Sequence, residues 1–370
     1  MMRLKLIILL AVCLLFGSVS LVKAQDLTEE ILEGQVVEVI DIEPNAASSL
    51  PGQELHIDVT RGSLHGSQII VNNEASYTGV DLSELNYQSY QVGDRLRIYS
   101  TFNDQGERLF VIDGLVRRSA LLCLSLLFAL AVILVAGKFG ALSLLALALS
   151  FLIIVKILLP MILAGRSPVL ASLISSLLII PGTFYLAHGF NQKTHSGVLA
   201  TTIVLFITML LARHFIAAAH LTGFASEEAG LLSVVTGGQI DILALLFAGM
   251  IIGVLGVLDD VTIGQASVVE QLRLANPQLN SWSLFWQSMK VGQDHVSSMI
   301  NTLILVYTGS SLPLMMLFMD SSRSFVDVIE LEVVAEEVVR TLVSSLGLML
   351  AVPLTSLLSV FVFKPPVVED

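Results

Sequence analysis

The chain has 370 residues, of which 55% are hydrophobic and 14% are charged, and its formal net charge is −12. Soluble domains average about 25% charged residues, so most of this chain is suited to lipid. The acidic balance argues against nucleic acid as a partner, and two cysteines in apolar runs support neither a disulfide framework nor a thiolate zinc site.

Residues 1–24 have the pattern of a signal peptide. Arg3 and Lys5 precede an apolar core, and Ala24 ends a small-residue segment after which cleavage is expected. The core is short for a membrane-spanning helix, and the alternative is an uncleaved signal anchor. In either case the segment that follows is exported.

Residues 25–116 have the composition of a small soluble domain. Turn residues separate five short runs with alternating hydrophobicity, which predict strands at 35–40, 54–60, 68–71, 95–100 and 108–112. The last two runs are expected to form a hairpin. His56 and His65 are isolated and are interpreted as ordinary surface residues. The prediction is an extracytoplasmic β-barrel or β-sandwich domain without a catalytic site.

Residues 117–370 are predicted to form a polytopic α-helical membrane bundle. About seven apolar runs have the length that a bilayer demands: 119–136, 139–161, 168–187, 197–219, 240–257, 299–319 and 338–363. Lysine and arginine in the loops do not favour one orientation, so the signal sequence decides it. It places 259–295 and the C-terminus in the cytoplasm, and the loop with Glu228 and the acidic segment 327–337 outside.

The fifth apolar run carries small residues and a carboxylate on one helical face. Gly249, Gly253, Gly256 and Asp260 fall at i, i+4, i+7 and i+11. The glycines predict a face that packs closely against another helix. Asp259 and Asp260 are candidate functional carboxylates, because a charge at membrane depth is costly and is usually paired or facing water. The alternative is that they cap the next helix.

A polar stripe leads into the sixth run, since Asp294, Ser298, Asn301 and Thr308 recur at i, i+4, i+7 and i+14. Asp294 and His295 together are suited to moving protons or binding a cation near neutral pH. Hydrogen bonds between helices are the alternative for the Asn, Ser and Thr side chains.

Further candidate polar residues are Gln265, Glu228, Glu337 and Arg340. Arg340 stands four residues after Glu336, which predicts a surface ion pair, and an outer gate is the alternative. No phosphate-binding loop, HExxH or GxSxG motif is found in the sequence. We therefore expect no enzymatic activity, cofactor or metal site.

Five segments of this sequence resemble the YibE/YibF family of multi-pass bacterial membrane proteins. They are GFNQKTHSGVLAT (189–201), TGFASEEAGLL (222–232), GVLGVLDDVTIGQAS (253–267), VGQDHVSSMINTLILVYTGSSLPLMMLF (291–318) and EEVVRTLVSSLGLMLAVPLTS (336–356). The resemblance implies a multi-pass protein of the bacterial cell membrane with a permease-like architecture.

Two functions agree with these patterns. The first is a secondary transporter of a small solute or ion, in which Asp260, Asp294, His295 and Asn301 form a polar site in the cytoplasmic half of the bundle. The second is a non-transporting scaffold whose exported β domain binds an envelope partner. Both place the protein in a lipid bilayer, and both allow a homo-oligomer or a membrane partner.

Overall fold

The computed structural model describes residues 30–42, 52–73, 89–102, 106–319 and 324–363. The expected signal segment, 1–24, lies outside the described residues. The chain divides near residue 131 into two compact units, an N-terminal β unit and a C-terminal helical unit.

Five antiparallel strands form a half-barrel in the N-terminal unit. They are β1 (Glu30–Ile42), β2 (Gly52–Arg61), β3 (Gln68–Asn73), β4 (Arg95–Phe102) and β5 (Arg108–Leu115), and their order in the sheet is β3-β2-β1-β4-β5. All five predicted strands are confirmed, as is the hairpin between the last two. The strands belong to one curved sheet, so the structure agrees with the barrel alternative and not with a two-sheet sandwich.

The half-barrel closes around alternate residues of its strands. Leu32, Leu55, Ile57, Leu96 and Ile98 are fully buried, whereas their strand neighbours face outward. This is the alternation that predicted the strands, because successive side chains of a strand point to opposite faces.

Glu30, at the start of β1, joins three parts of the half-barrel. Its carboxylate accepts hydrogen bonds from the Ser63 backbone N–H (2.6 Å) and the Ser63 hydroxyl (2.5 Å), and it forms an ion pair with Arg108 of β5 at 2.6 Å. The three bonds hold the β2–β3 turn and β5 against β1.

The helical unit has ten α-helices in its described residues. They are α1 (Arg118–Ile153), α2 (Leu159–Leu163), α3 (Pro168–His188), α4 (Gln192–Ala218), α5 (Glu227–Val235), α6 (Ile242–Ala275), α7 (Ser281–Ser310), α8 (Leu312–Met319), α9 (Phe325–Ile329) and α10 (Glu332–Val362), and a π-helical turn, Ile154–Leu158, joins α1 to α2. Side chains before several helices accept a bond from the first turn, as Asn191, Asp241 and Asn280 do.

Among the described residues, five helices are long and apolar enough to cross a membrane: Arg118–Leu163, Pro168–His188, Gln192–Ala218, Ile242–Ala275 and Glu332–Val362. The predicted count of seven is therefore not confirmed. The first two predicted spans, 119–136 and 139–161, fall within the single stretch Arg118–Leu163, on either side of a kink at Gly137. The sixth is divided at Ser311 between α7 and α8, two residues before Pro313, which cannot donate a helical hydrogen bond.

Gly137 bends the first helical stretch sharply. Its dihedral angles (φ 57°, ψ −133°) are non-helical and favour glycine. A Cβ added to Gly140 would lie 2.5 Å from the Val132 carbonyl oxygen, although these residues would be about 12 Å apart in a straight helix. The stretch has 46 residues, or about 69 Å of helix, which is enough to cross a bilayer core twice.

The centre of the helical unit is formed by α4, α6 and α10, with α3 and α7 packed around them. Val204, Leu258 and Leu348 are fully buried there. Close approach depends on small residues: a Cβ added to Gly347 of α10 would lie 2.5 Å from Thr208 Oγ1 of α4. Large apolar side chains such as Val135 (90% exposed) cover the outside, as expected of surfaces that contact lipid.

Candidate functional site

The four residues of the predicted polar site lie on exposed faces. Asp260 is exposed on α6, and Asp294, His295 and Asn301 are exposed on α7. Among the described residues, no hydrogen bond or ion pair joins Asp260 to the other three. A shared site therefore stays a prediction.

The rotation of α7 about its axis explains this placement. The helix contacts its neighbours through Leu284, Ser288 and Gly292, which are fully or almost fully buried at four-residue spacing. Asp294 follows Gly292 by two residues, or about 200° around the helix. The polar stripe that begins at Asp294 therefore faces away from the packed side.

Asp259 and Asp260 lie within a continuous helix. Helix α6 extends without a break from Ile242 to Ala275, so the interpretation that these residues cap a following helix is wrong. The segment contains no residue that stops a helix before Asn276-Pro277, because glycine weakens a helix much less than proline does. Asp259 is half-buried and Asp260 is exposed.

The glycine face of α6 is open. A Cβ added to Gly249, Gly253 or Gly256 would meet no described atom within 4 Å. No described residue of the chain packs closely against this face, so its close packing against another helix stays a prediction.

Gln265 joins three helices in the interior. Its side chain is 3% exposed, and its Nε2 donates to Ser356 Oγ of α10 at 2.7 Å and to the Ser288 carbonyl oxygen of α7 at 3.0 Å. A Cβ added to Gly292 would lie 2.8 Å from Gln265 Oε1 and 2.4 Å from Val352 Cγ1 of α10. We call these residues, Gln265, Ser288, Gly292, Val352 and Ser356, the glutamine junction.

Gln265 was a predicted candidate, but its partners in the glutamine junction were not predicted. A signal was present, because Leu284, Ser288 and Gly292 form one face of α7 with two small residues four positions apart. Such spacing indicates close helix contact in membranes. The polar stripe that begins two positions further on, at Asp294, lies on the opposite face of the helix.

Other hydroxyl groups line the same interior. Thr201 of α4 and Thr262 of α6 are hydrogen-bonded to each other at 2.7 Å. Four buried hydroxyls have no hydrogen-bond partner among the described residues, Ser175 and Ser176 on α3 and Thr355 and Ser359 on α10. The interior of the bundle thus contains polar groups. A bundle that only anchored the protein in the membrane could be packed with aliphatic side chains alone.

The predicted ion pair at the start of α10 is present. Arg340 contacts Glu336 through Nη2 at 2.5 Å and Glu337 through Nη1 at 3.2 Å. One guanidinium is therefore shared by two carboxylates. Glu228, in the first turn of α5, is exposed and makes no hydrogen bond with the described residues.

A cavity of about 620 Å³ lies beside this ion pair, between α7, α8, α9 and α10. Its walls are mainly apolar and include Ile304 of α7 and Phe325 of α9. Tyr307 and Thr341 add hydroxyl groups. Glu337 is the one charged side chain among the described residues that line it. This volume lies within the range of small-molecule sites, about 300–1,000 Å³.

A second cavity, of about 600 Å³, lies between the start of α3, the end of α4 and the start of α6. Arg213, His220 and Asp241 are its ionisable lining residues. Asp241 also accepts a hydrogen bond from the Ala244 backbone N–H, so one of its oxygens is engaged in capping α6. In the described part of the chain, no three His, Cys, Asp or Glu side chains are grouped as metal ligands.

Comparison with known proteins gives one match. Residues 124–365, about two thirds of the chain, match the family described as YibE/F-like protein. No match is found among curated proteins or among solved structures. The match covers the glutamine junction, the cavity beside Glu337, four of the five apolar helices of membrane length in full and the first of them from Leu124 onward. The chain therefore belongs to the YibE/F-like protein family.

Proposed function

We propose that this protein is a permease-like secondary transporter of the bacterial cell membrane and that the cavity beside Glu337 holds its solute. The observation that carries the proposal is the cavity itself, which combines the volume of a small-molecule site, apolar walls and one charged group among its described lining residues. In this proposal the half-barrel lies outside the cytoplasm, as the signal pattern of residues 1–24 predicts.

The contacts along α7 and α10 support this proposal. The two helices are separated by the cavity at Ile304 and Val338, and they meet at Gly292 and Val352 in the glutamine junction. A site that is accessible at one end and closed at the other is what alternating access requires. In the opposite state, α7 would separate from α10 at the junction and close over the cavity.

Asp260, Asp294, His295 and Asn301 are proposed as contacts for a coupling ion. Their support is that carboxylate and imidazole groups can bind cations and that none of the four is engaged in a described hydrogen bond or ion pair. Their exposed positions on α6 and α7 leave them free to meet water or another subunit.

The test is flux through the purified full-length chain in vesicles. A panel of radiolabelled probes would include an organic cation, an organic anion, an amino acid and sodium ion. We expect one probe to accumulate only in vesicles that hold the protein, and Glu337→Gln to remove that accumulation. Glu330→Gln changes the same charge at an exposed site outside the cavity and should retain the flux. Absence of protein-dependent flux for every probe, or full flux in Glu337→Gln, would contradict the proposal.

The second candidate function, a scaffold, has support in the half-barrel. Ile31, Tyr99 and Val111 form a cross-strand row on its outer face, and Ile31 and Val111 are 48% and 55% exposed. Apolar groups that are adjacent on a surface favour a protein contact. A scaffold predicts that Val111→Glu abolishes an association with an envelope component in intact cells, while no probe crosses the vesicles.

A further inference from the structure

The cavity beside Glu337 selects for ligands that are mainly apolar. Its described walls come from α7, α8, α9 and α10 and consist chiefly of aliphatic and aromatic side chains. A strongly hydrated solute would lose most of its water there without replacement, because four hydroxyl residues offer few hydrogen bonds for a volume of about 620 Å³; they are Tyr307, Thr308, Ser311 and Thr341. The ligand must therefore carry a large hydrocarbon surface.

The charges at the cavity favour a cation. Glu337 lines the wall, and its only described counterion, Arg340, is also bound to Glu336 at 2.5 Å. Two carboxylates with one guanidinium leave a net charge of −1.

The position of Arg340 adds to this preference. Arg340 is not among the residues that line the cavity, whereas Glu337 is. A ligand in the cavity therefore meets the carboxylate first, in surroundings of low dielectric where a single charge acts strongly. A neutral ligand would leave that charge unbalanced, and an anion would be repelled by it.

We infer that this cavity is a binding site for lipophilic organic monocations, with Glu337 as the counterion. The inference rests on the proposed function in so far as it takes the cavity for the solute site, but binding is measured without flux. The matching ligand has one delocalised or shielded positive charge inside a hydrocarbon shell, because such a cation loses little hydration when it enters an apolar site.

Two probes of the same shape and opposite charge separate charge from hydrophobicity. Tetraphenylphosphonium is a lipophilic monocation, and tetraphenylborate is an anion with the same arrangement of phenyl groups. Equilibrium dialysis of each radiolabelled probe against the purified full-length protein in detergent gives its Kd. We expect saturable binding of tetraphenylphosphonium at about one site per chain and no saturable binding of tetraphenylborate.

The variants assign this binding to the cavity. Glu337→Gln should raise the Kd for tetraphenylphosphonium by about tenfold or more, since it removes an ion pair. Glu330→Gln, at an exposed carboxylate outside the cavity, should change the Kd by less than about twofold. Thr341→Phe keeps every charge and fills the cavity, so it should also abolish binding. It provides an independent test if Glu337→Gln does not fold.

Equal binding of the two probes, or an unchanged Kd in both Glu337→Gln and Thr341→Phe, would overturn the inference. Different outcomes would contradict the proposed transport function. Binding that depends on Glu337 without flux of any probe would support the inference and oppose transport. Flux of another probe together with no tetraphenylphosphonium binding would support transport and overturn the inference.

Discussion

Gly292 is a point of close approach between α7 and its neighbours. A methyl group there would lie 2.4 Å from Val352 Cγ1 and within 3 Å of the Gln265 side chain, which is itself fixed by two hydrogen bonds. Real Cβ atoms do not approach so closely, so α7 would have to move away from α10. Inserting one methylene into a packed core typically costs about 1–3 kcal/mol.

We therefore predict that Gly292→Ala lowers the thermal unfolding midpoint of the full-length protein in detergent, with a loss of stability of about 1–3 kcal/mol. Gly309→Ala is the matched control on the same helix, because its added Cβ would meet no described atom within 4 Å. Equal midpoints for the two variants would show that α7 does not pack as described.

The polar residues show how far single residues could be predicted. The ion pair of Glu336 with Arg340 followed from their spacing alone, because residues four apart on a helix are neighbours. Gln265 and Asp260 were both named, but their burial depends on which side of α6 faces α7 and α10. That rotation is set by packing between helices. The sequence therefore favoured Asp260 as a site residue because of its charge, and it did not show that Gln265 is the buried one.

At the scale of secondary-structure elements, Glu30 makes the half-barrel sensitive to acid. Hydrogen bonds from the side chain and backbone of Ser63, together with the charge of Arg108, hold the pKa of Glu30 below its ordinary value of 4.5. A carboxyl group with a lowered pKa stabilises the fold above the pKa of the unfolded chain. That stabilisation is lost as the pH falls through the lowered value.

We predict that the backbone amides of β1 and β5 lose protection below pH 4.5, measured on the full-length chain by hydrogen–deuterium exchange with correction for the intrinsic rate. Glu30→Gln should already show weaker protection at neutral pH and should lack the further loss of protection below pH 4.5, which we call the acid step. Asp58→Asn, at an exposed position of β2, should keep the step. An acid step of the same size in Glu30→Gln would assign it to another group.

The elements themselves were predictable where the signal is local. All five strands were found from alternation of period two, and the structure only extends them at their ends. The helical boundaries were less accurate. Helix α6 continues well past its apolar run, because the helix stops at Asn276-Pro277 and not where hydrophobicity falls. The sixth run is divided at Ser311, which the hydrophobicity of the run does not reveal.

At the scale of the whole molecule, the bend at Gly137 bears on the number of membrane crossings. The 46 residues of this bent stretch amount to about 69 Å of helix, which is too long for one crossing of a hydrocarbon core of about 30 Å. If its two parts cross separately, Lys138 lies on one side of the membrane and Arg166, after the end of α2, on the other.

Cysteine labelling in cells tests this arrangement. In a background with Cys13→Ser and Cys123→Ser, we expect a membrane-impermeant maleimide to label Arg166→Cys in intact cells and Lys138→Cys only after permeabilisation. Lys193→Cys, between α3 and α4, should behave like Lys138→Cys. Labelling of Arg166→Cys and Lys138→Cys from the same side would show that the stretch does not cross twice.

The family, the membrane character of the helical unit and the five strands of the half-barrel could all be predicted without the structure. Each of these depends on signals read over short windows, namely motif identity, apolar run length and strand alternation. The tertiary structure alone decided that Gln265 is the interior polar contact, that Asp260 and the Asp294 stripe are exposed, and that Glu337 lines a cavity.

The physical reason is that burial in a bundle depends on the rotation of each helix about its axis. One residue changes that direction by about 100°, so a carboxylate on α6 or α7 faces the interior or the surroundings according to contacts made by residues far away in the chain. A cavity is likewise a property of four elements together. The glycine face of α6, with Asp260 at its end, is therefore visible in the sequence as a pattern, and only the packed structure shows that no described residue packs closely against its glycines.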